Sequence, residues 1–171
     1  MDNPQIRSIL KTLGERVPPA SRLVLTGGSA MVLLGSPRPT IDIDFLGDDV
    51  SPSEFDKAIV RTAKELKIYA EPVPLDRFIP LPAGNDKRKI RIGKYGNMEV
   101  FVADPYSIAL SKLDRGFDTD IDDILFLIRN KHVEIKELEH MAQTVLTRAR
   151  EFDIKPDDFM AHFEIVRERL K

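Results

Sequence analysis

The chain reads as an α+β fold, a mixed sheet flanked by helices with a helical extension at its C-terminus, and three observations lead there. Short apolar or alternating runs at residues 23–25, 41–45 and 97–102 have strand length and are separated by stretches with helical periodicity. Breaker clusters, Pro18-Pro19, Gly35-Ser36-Pro37-Arg38-Pro39 and Gly93-Lys94-Tyr95-Gly96-Asn97, punctuate those runs. Beyond Gly116 no strand pattern occurs, only apolar stripes at helical spacing. With 171 residues and 42% hydrophobic content the chain suffices for one compact core. A single domain spanning 1–171 is expected, with a sheet-containing part at about 1–116 and a helical part at about 117–171.

Taken in order, residues 4–15 form a helix with Ile6, Ile9, Leu10 and Leu13 on one stripe and Gly14 near its end. After Pro18-Pro19 comes the first strand, which runs into Gly27-Gly28-Ser29 and a short apolar helix from Ala30. The next strand alternates: Ile41, Ile43 and Phe45 are expected in the core, with Asp42 and Asp44 together on the opposite face. Ser51, Pro52 and Glu54 form a capping box opening a helix that buries Phe55, Ala58, Ile59, Ala63 and Leu66. Four prolines between Glu71 and Pro82 mark an edge strand or an extended loop. Strands are expected at 87–91 and 97–102, then a helix capped by Asp104-Pro105 and ended by Gly116. Thr119 caps the next helix, 120–130, and two more follow at about 134–150 and 156–170.

The two aspartates are the first chemical signal. Carboxylates about 6 Å apart at an effective dielectric near 20 repel by roughly 3 kcal/mol, so something must offset them. An all-oxygen pair suits Mg²⁺, which takes one or two carboxylates and leaves its other positions to water and phosphate. Gly27, Gly28 and Ser29 complement this, since a glycine turn at a helix start lets backbone N–H groups approach a phosphate. The two strands together describe a seat for a metal-bound nucleoside triphosphate.

Charge and composition exclude other classes. Charged residues make up 32% of the chain, yet the net charge is only −2, so no global basic field attracts nucleic acid. Any RNA contact would be local, for example at Lys87, Arg88, Lys89, Arg91 and Lys94, a cluster that equally suits a solvated edge. The absence of cysteine excludes disulfides, thiol catalysis and thiolate zinc sites. No apolar run reaches 18 residues and no leader precedes the fold, so a cytoplasmic, non-membrane protein is expected. The aspartate runs fail the calcium-loop register from both Asp42 and Asp118, no Walker-type glycine loop occurs, and His132, His140 and His162 lack metal-ligand spacing.

The ordered motif G-G-S-A-M-V-L-L-G-S-P-R-P-T-I-D-I-D resembles the nucleotidyltransferase superfamily typified by DNA polymerase beta. It looks most like a small prokaryotic branch that includes AbiEii-type and MenT-type toxins. The resemblance implies that Asp42 and Asp44 bind Mg²⁺ and that Arg38 and Thr40, just before the acids, help to hold the nucleotide. It implies a third carboxylate on a later strand, for which Glu99 is the candidate, and a lysine on the helix after that strand, matched by Lys112. It implies a late catalytic aspartate in a basic-D-hydrophobic-x-D-hydrophobic pattern, matched by Asp120 and Asp123 with Thr119 in place of the basic residue. An NTP substrate, a tRNA 3′ end as acceptor and a cognate antitoxin as partner follow from the same resemblance. A non-catalytic nucleotide-binding or interaction module and a protein AMP-modifying enzyme are the alternatives on this scaffold.

Overall fold

The computed structural model describes all residues, 1–171. It is α+β, with one five-stranded mixed sheet whose strands lie in the order 69–73, 42–46, 21–26, 98–102 and 90–95. The chain forms two compact units: Met1–Pro74 with Lys89–Ala103, and Leu75–Arg88 with Asp104–Lys171.

The first unit holds the sheet: β1 (Ser21–Thr26), β2 (Asp42–Leu46), β3 (Tyr69–Val73), β4 (Ile90–Tyr95) and β5 (Met98–Val102). Three helices join it, α1 (Asn3–Glu15), α2 (Gly27–Leu33) and α3 (Glu54–Glu65). Asp2 caps α1 in a reciprocal capping box with Gln5, and Ile6, Leu10 and Leu13 bury its stripe, while Ile9 stays half-buried. One sheet face packs Leu23, Leu25, Ile43, Phe45, Met98, Val100 and Val102, all fully buried. Alternation therefore sends Asp42 and Asp44 to the other face.

Three local expectations are corrected here. Ile41 is 88% exposed rather than core, because ladder pairing begins only at Asp42, opposite Tyr69. The α3 capping box is Ser53 with Asp56, two residues after the expected one. Asp48 accepts the N–H groups of Val50 and Ser51, and this side-chain turn keeps residue 51 out of the helix. Strand β4 starts at Ile90, since residues 85–88 form a 3-10 turn; a bulge between Arg91 and Gly93 then keeps Arg91 and Lys94 opposite Phe101 and Glu99. Strand β3 takes up only the start of the proline-rich segment, at the sheet edge, one of the two forms expected for it.

The second unit is helical: α4 (Leu75–Phe78), α5 (Pro105–Arg115), α6 (Asp118–Arg129), α7 (Ile135–Thr147) and α8 (Pro156–Arg169). Its core contains Ile108, Leu113, Ile124, Leu127, Leu138, Val145, Phe159, Phe163 and Val166, around α5. Asp104 caps α5 and also accepts both prongs of Arg88, from Nε at 2.9 Å and Nη2 at 2.8 Å, plus the Ser107 hydroxyl at 3.0 Å. Arg88 is thus committed to folding, not to a phosphate-binding cluster. Helix α6 begins right after Gly116, with Phe117 as N-cap instead of Thr119, which leaves Asp120 in the first turn facing inward.

Gly116 has φ +69°, and a Cβ there would run into the His162 ring, whose Nδ1 donates to the Leu113 carbonyl at 2.7 Å. Gly116→Ala is expected to destabilise this unit by about 2 kcal/mol or more, read as a lower urea midpoint at unchanged slope. No helix is long and apolar enough to cross a membrane.

Candidate active site

In the first unit, the acid face is built around the start of α2. Gly27 has φ +59°, a conformation that glycine adopts without strain, and a Cβ there would overlap the Asp44 carboxylate. A Cβ on Gly28 would press on the Thr40 hydroxyl in the same way. Both glycines therefore exist because side chains from the β2 segment lie directly on the helix start. Thr40, itself buried, donates its hydroxyl to Asp42 Oδ1 at 2.8 Å and fixes that carboxylate. Ser29 is fully buried and turns its hydroxyl back to the Thr26 carbonyl at 3.2 Å, so its backbone N–H is what it can offer a phosphate. No side chain caps the first turn of α2. Arg38 lies exposed in the loop before Thr40. The structure thus brings Gly27, Gly28, Ser29, Thr40, Asp42 and Asp44 together.

It does not bring Glu99 to them. Antiparallel pairing puts Asp44 opposite Thr26, whereas Glu99 on β5 stands opposite Arg22, four residues back along β1. At about 3.3 Å per residue that is roughly 13 Å along the strands, with two strand spacings across them, too far to share an ion. Glu99 instead accepts from Arg91 at 3.1 Å. The acid that the register does place beside the pair is Glu71, directly opposite Asp44 on β3, with Tyr69 opposite Asp42. Residues opposite one another share a face, so Asp42, Asp44, Tyr69 and Glu71 all point the same way. The phenol of Tyr69 donates to Glu71 Oε2 at 2.8 Å. Its ionisation is pushed above the ordinary tyrosine range first by that hydrogen bond, then by the Glu71 charge, with Asp44 and Asp42 adding to it. The sequence signal for Glu71 is the alternation Tyr69-Ala70-Glu71, with only Ala70 buried, obscured by the prolines that follow.

A family model described as nucleotidyltransferase of unknown function (DUF6036) matches residues 5–171. The chain belongs to this nucleotidyltransferase family. No curated protein and no solved structure matches it.

The second unit of this family member contains Lys112, Asp120 and Asp123, in a buried ion cluster. Lys112 is 3% exposed and donates to Asp120 Oδ1 at 3.0 Å and to Asp123 Oδ2 at 2.6 Å. Arg115, one turn on, reaches the same Asp120 Oδ1 at 2.6 Å. Two cations thus face two carboxylates, which is how charge is tolerated at this depth. Asp120 Oδ2 is buried without a hydrogen-bond partner. The role expected for Lys112, an ammonium on the triphosphate, is not the one this burial supports. Committed to two carboxylates, it ties α5 to α6. Asp123, in the second turn of α6, makes the shorter of the two bonds. Arg115 escaped the sequence reading because an arginine near a helix C-terminus already has a reason to be there.

Beside this cluster, still within the second unit, Asp114, Arg115, Asp153, Lys155, Asp158 and His162 line a cavity of about 370 Å³. Burial raises the Asp114 carboxyl above its ordinary value of 3.8, Asp153 adds to the rise, and His162 and Arg115 oppose it. A raised carboxyl favours folding fully below 3.8, and that contribution is lost as pH rises through the higher folded value. Asp114→Asn is therefore expected to raise the thermal midpoint at pH 7. The gain should shrink steadily as pH falls towards 4, a trend that scans across pH would check.

Proposed function

We propose that the acid face transfers a nucleotidyl group from an NTP to a hydroxyl acceptor and releases pyrophosphate. The observation that carries this reading is the convergence of Asp42, Asp44 and Glu71 on one sheet face, with the glycine start of α2 pressed against it. The donors on Asp42 and Asp44 are hard carboxylate oxygens two residues apart on one face, a pair that fits Mg²⁺ with water and phosphate in its other positions. Asp42 and Asp44 would hold it; bound there, it neutralises triphosphate charge and favours departure of pyrophosphate.

The remaining roles fall to the chain's own groups. Thr40 keeps Asp42 in one rotamer through its hydroxyl. Gly27 lets Asp44 lie against the helix start, and the N–H groups of Gly28 and Ser29 are free of side-chain caps and suited to phosphate oxygens. Arg38, on the exposed loop before Thr40, is the cation that the family resemblance assigns to the triphosphate. Glu71, one strand away and outside the pair, takes the proton of the attacking hydroxyl. Lys112 and Asp120 act by holding the second unit's helices in place rather than by touching substrate. The family resemblance extends the proposal to a tRNA 3′ end as the first acceptor to test and to an antitoxin as a protein partner.

Labelled NTPs offered in turn with Mg²⁺ and total RNA test the proposal. Transfer of label to RNA is expected, lowered about 100-fold or more by Glu71→Gln. Glu99→Gln is expected to retain transfer within a factor of a few. Equal losses in both variants, or label release without transfer, would overturn the assignment.

A further inference from the structure

Tyr69 shares the sheet face of Asp42, Asp44 and Glu71, and the proposed reaction leaves it without a task. The residue is 64% exposed, yet its phenol does not point at random: it donates to Glu71 at 2.8 Å, and Glu71 stands opposite Asp44. An exposed tyrosine–glutamate contact on an edge strand contributes little to stability, which leaves its placement unexplained by folding alone. The hydroxyl occupies the place where an acceptor's hydroxyl would meet its base.

We propose that Tyr69 is a site of self-nucleotidylation, its phenol serving as an internal acceptor for the nucleotidyl group. The inference rests on the transfer reading above. Tyr69 Oη forms a bond to the α-phosphorus of the NTP, and the bond from that phosphorus to the oxygen bridging the β-phosphate breaks. Pyrophosphate leaves with the electron pair, and the phenolic proton passes to Glu71. No oxidant or further co-reactant is needed. Because nucleophile and base already belong to one strand, the step gains the advantage of an intramolecular reaction. The modified side chain would then cover the acid face, so that the product state excludes an external acceptor.

The test uses the full chain with Mg²⁺ and each of the four NTPs in turn, without RNA, followed by intact mass measurement and peptide mapping. The expected result is a gain of one nucleoside monophosphate on Tyr69. Tyr69→Phe, a change at an exposed position, abolishes the gain at an unaltered thermal midpoint, and Glu71→Gln slows it about 100-fold. A parallel arm with RNA separates this inference from the reading beneath it. Labelled RNA with Tyr69 unmodified overturns self-modification and leaves transfer standing, whereas no label on either RNA or protein overturns both. An adduct mapped to another residue also overturns the inference.

Discussion

Asp44→Asn is expected to lower nucleotidyl transfer at least about a thousandfold, equivalent to roughly 4 kcal/mol of transition-state stabilisation, with no fall in thermal midpoint. The asymmetry follows from where Asp44 sits. It is on the half-open face of β2, while the neighbouring Ile43 and Phe45 that hold the strand in the core are untouched. Removing one of two like charges two residues apart relieves repulsion, which offsets the contacts that the carboxylate gives up. Activity has much to lose, since a neutral amide binds a divalent cation weakly and leaves Asp42 alone to hold it. Steady-state transfer assays paired with thermal melts of the same preparations check both halves. Retained activity, or a variant that fails to fold, would remove Asp44 from the centre of this account.

Breaking the buried cluster in the second unit has the opposite profile. Asp123→Ala is expected to destabilise the protein by about 3–5 kcal/mol, because it leaves the Lys112 ammonium buried with part of its compensation gone. Replacing the set together, Lys112→Met with Asp120→Leu and Asp123→Leu, is expected to recover most of that loss, since apolar groups of similar volume need no partners. Chemical denaturation of the single and triple variants measures this. A triple variant as unstable as the single one would contradict a purely structural cluster and return Lys112 and Asp120 to the chemistry. Asp120 Oδ2, buried without a partner, is the atom through which such a role would act.

Much of this was legible in the sequence because it rests on local rules. Alternation put Asp42 and Asp44 on one face, the glycine pair announced the helix start, Asp104-Pro105 and Gly116 bounded α5, and the prolines after Glu71 demoted β3 to an edge. What failed depends on pairing between distant segments. Glu99 and Glu71 have similar credentials as acids on alternating strands; only the register, with Asp44 opposite Glu71 and Glu99 opposite Arg22, separates them. Ile41 fits the apolar alternation of β2, yet nothing in its own neighbours reveals that the ladder starts one residue later. Arg88 looked like part of a basic run until Asp104, 16 residues on, proved to be its bidentate partner. Lys112 is legible in the sequence as the lysine that the family resemblance points to. Its two carboxylates lie one turn apart on the next helix, and burial decides what the lysine can do.

The most direct test of the central claim is calorimetric titration of the full chain with an NTP analogue that resists α-phosphate attack, with and without Mg²⁺, for the native sequence and for Asp42→Asn with Asp44→Asn. Binding that requires Mg²⁺ and disappears in the double variant is the predicted result. Binding of equal strength in the absence of the cation, or unaltered in the double variant, would contradict the assignment of this sheet face as the nucleotide site.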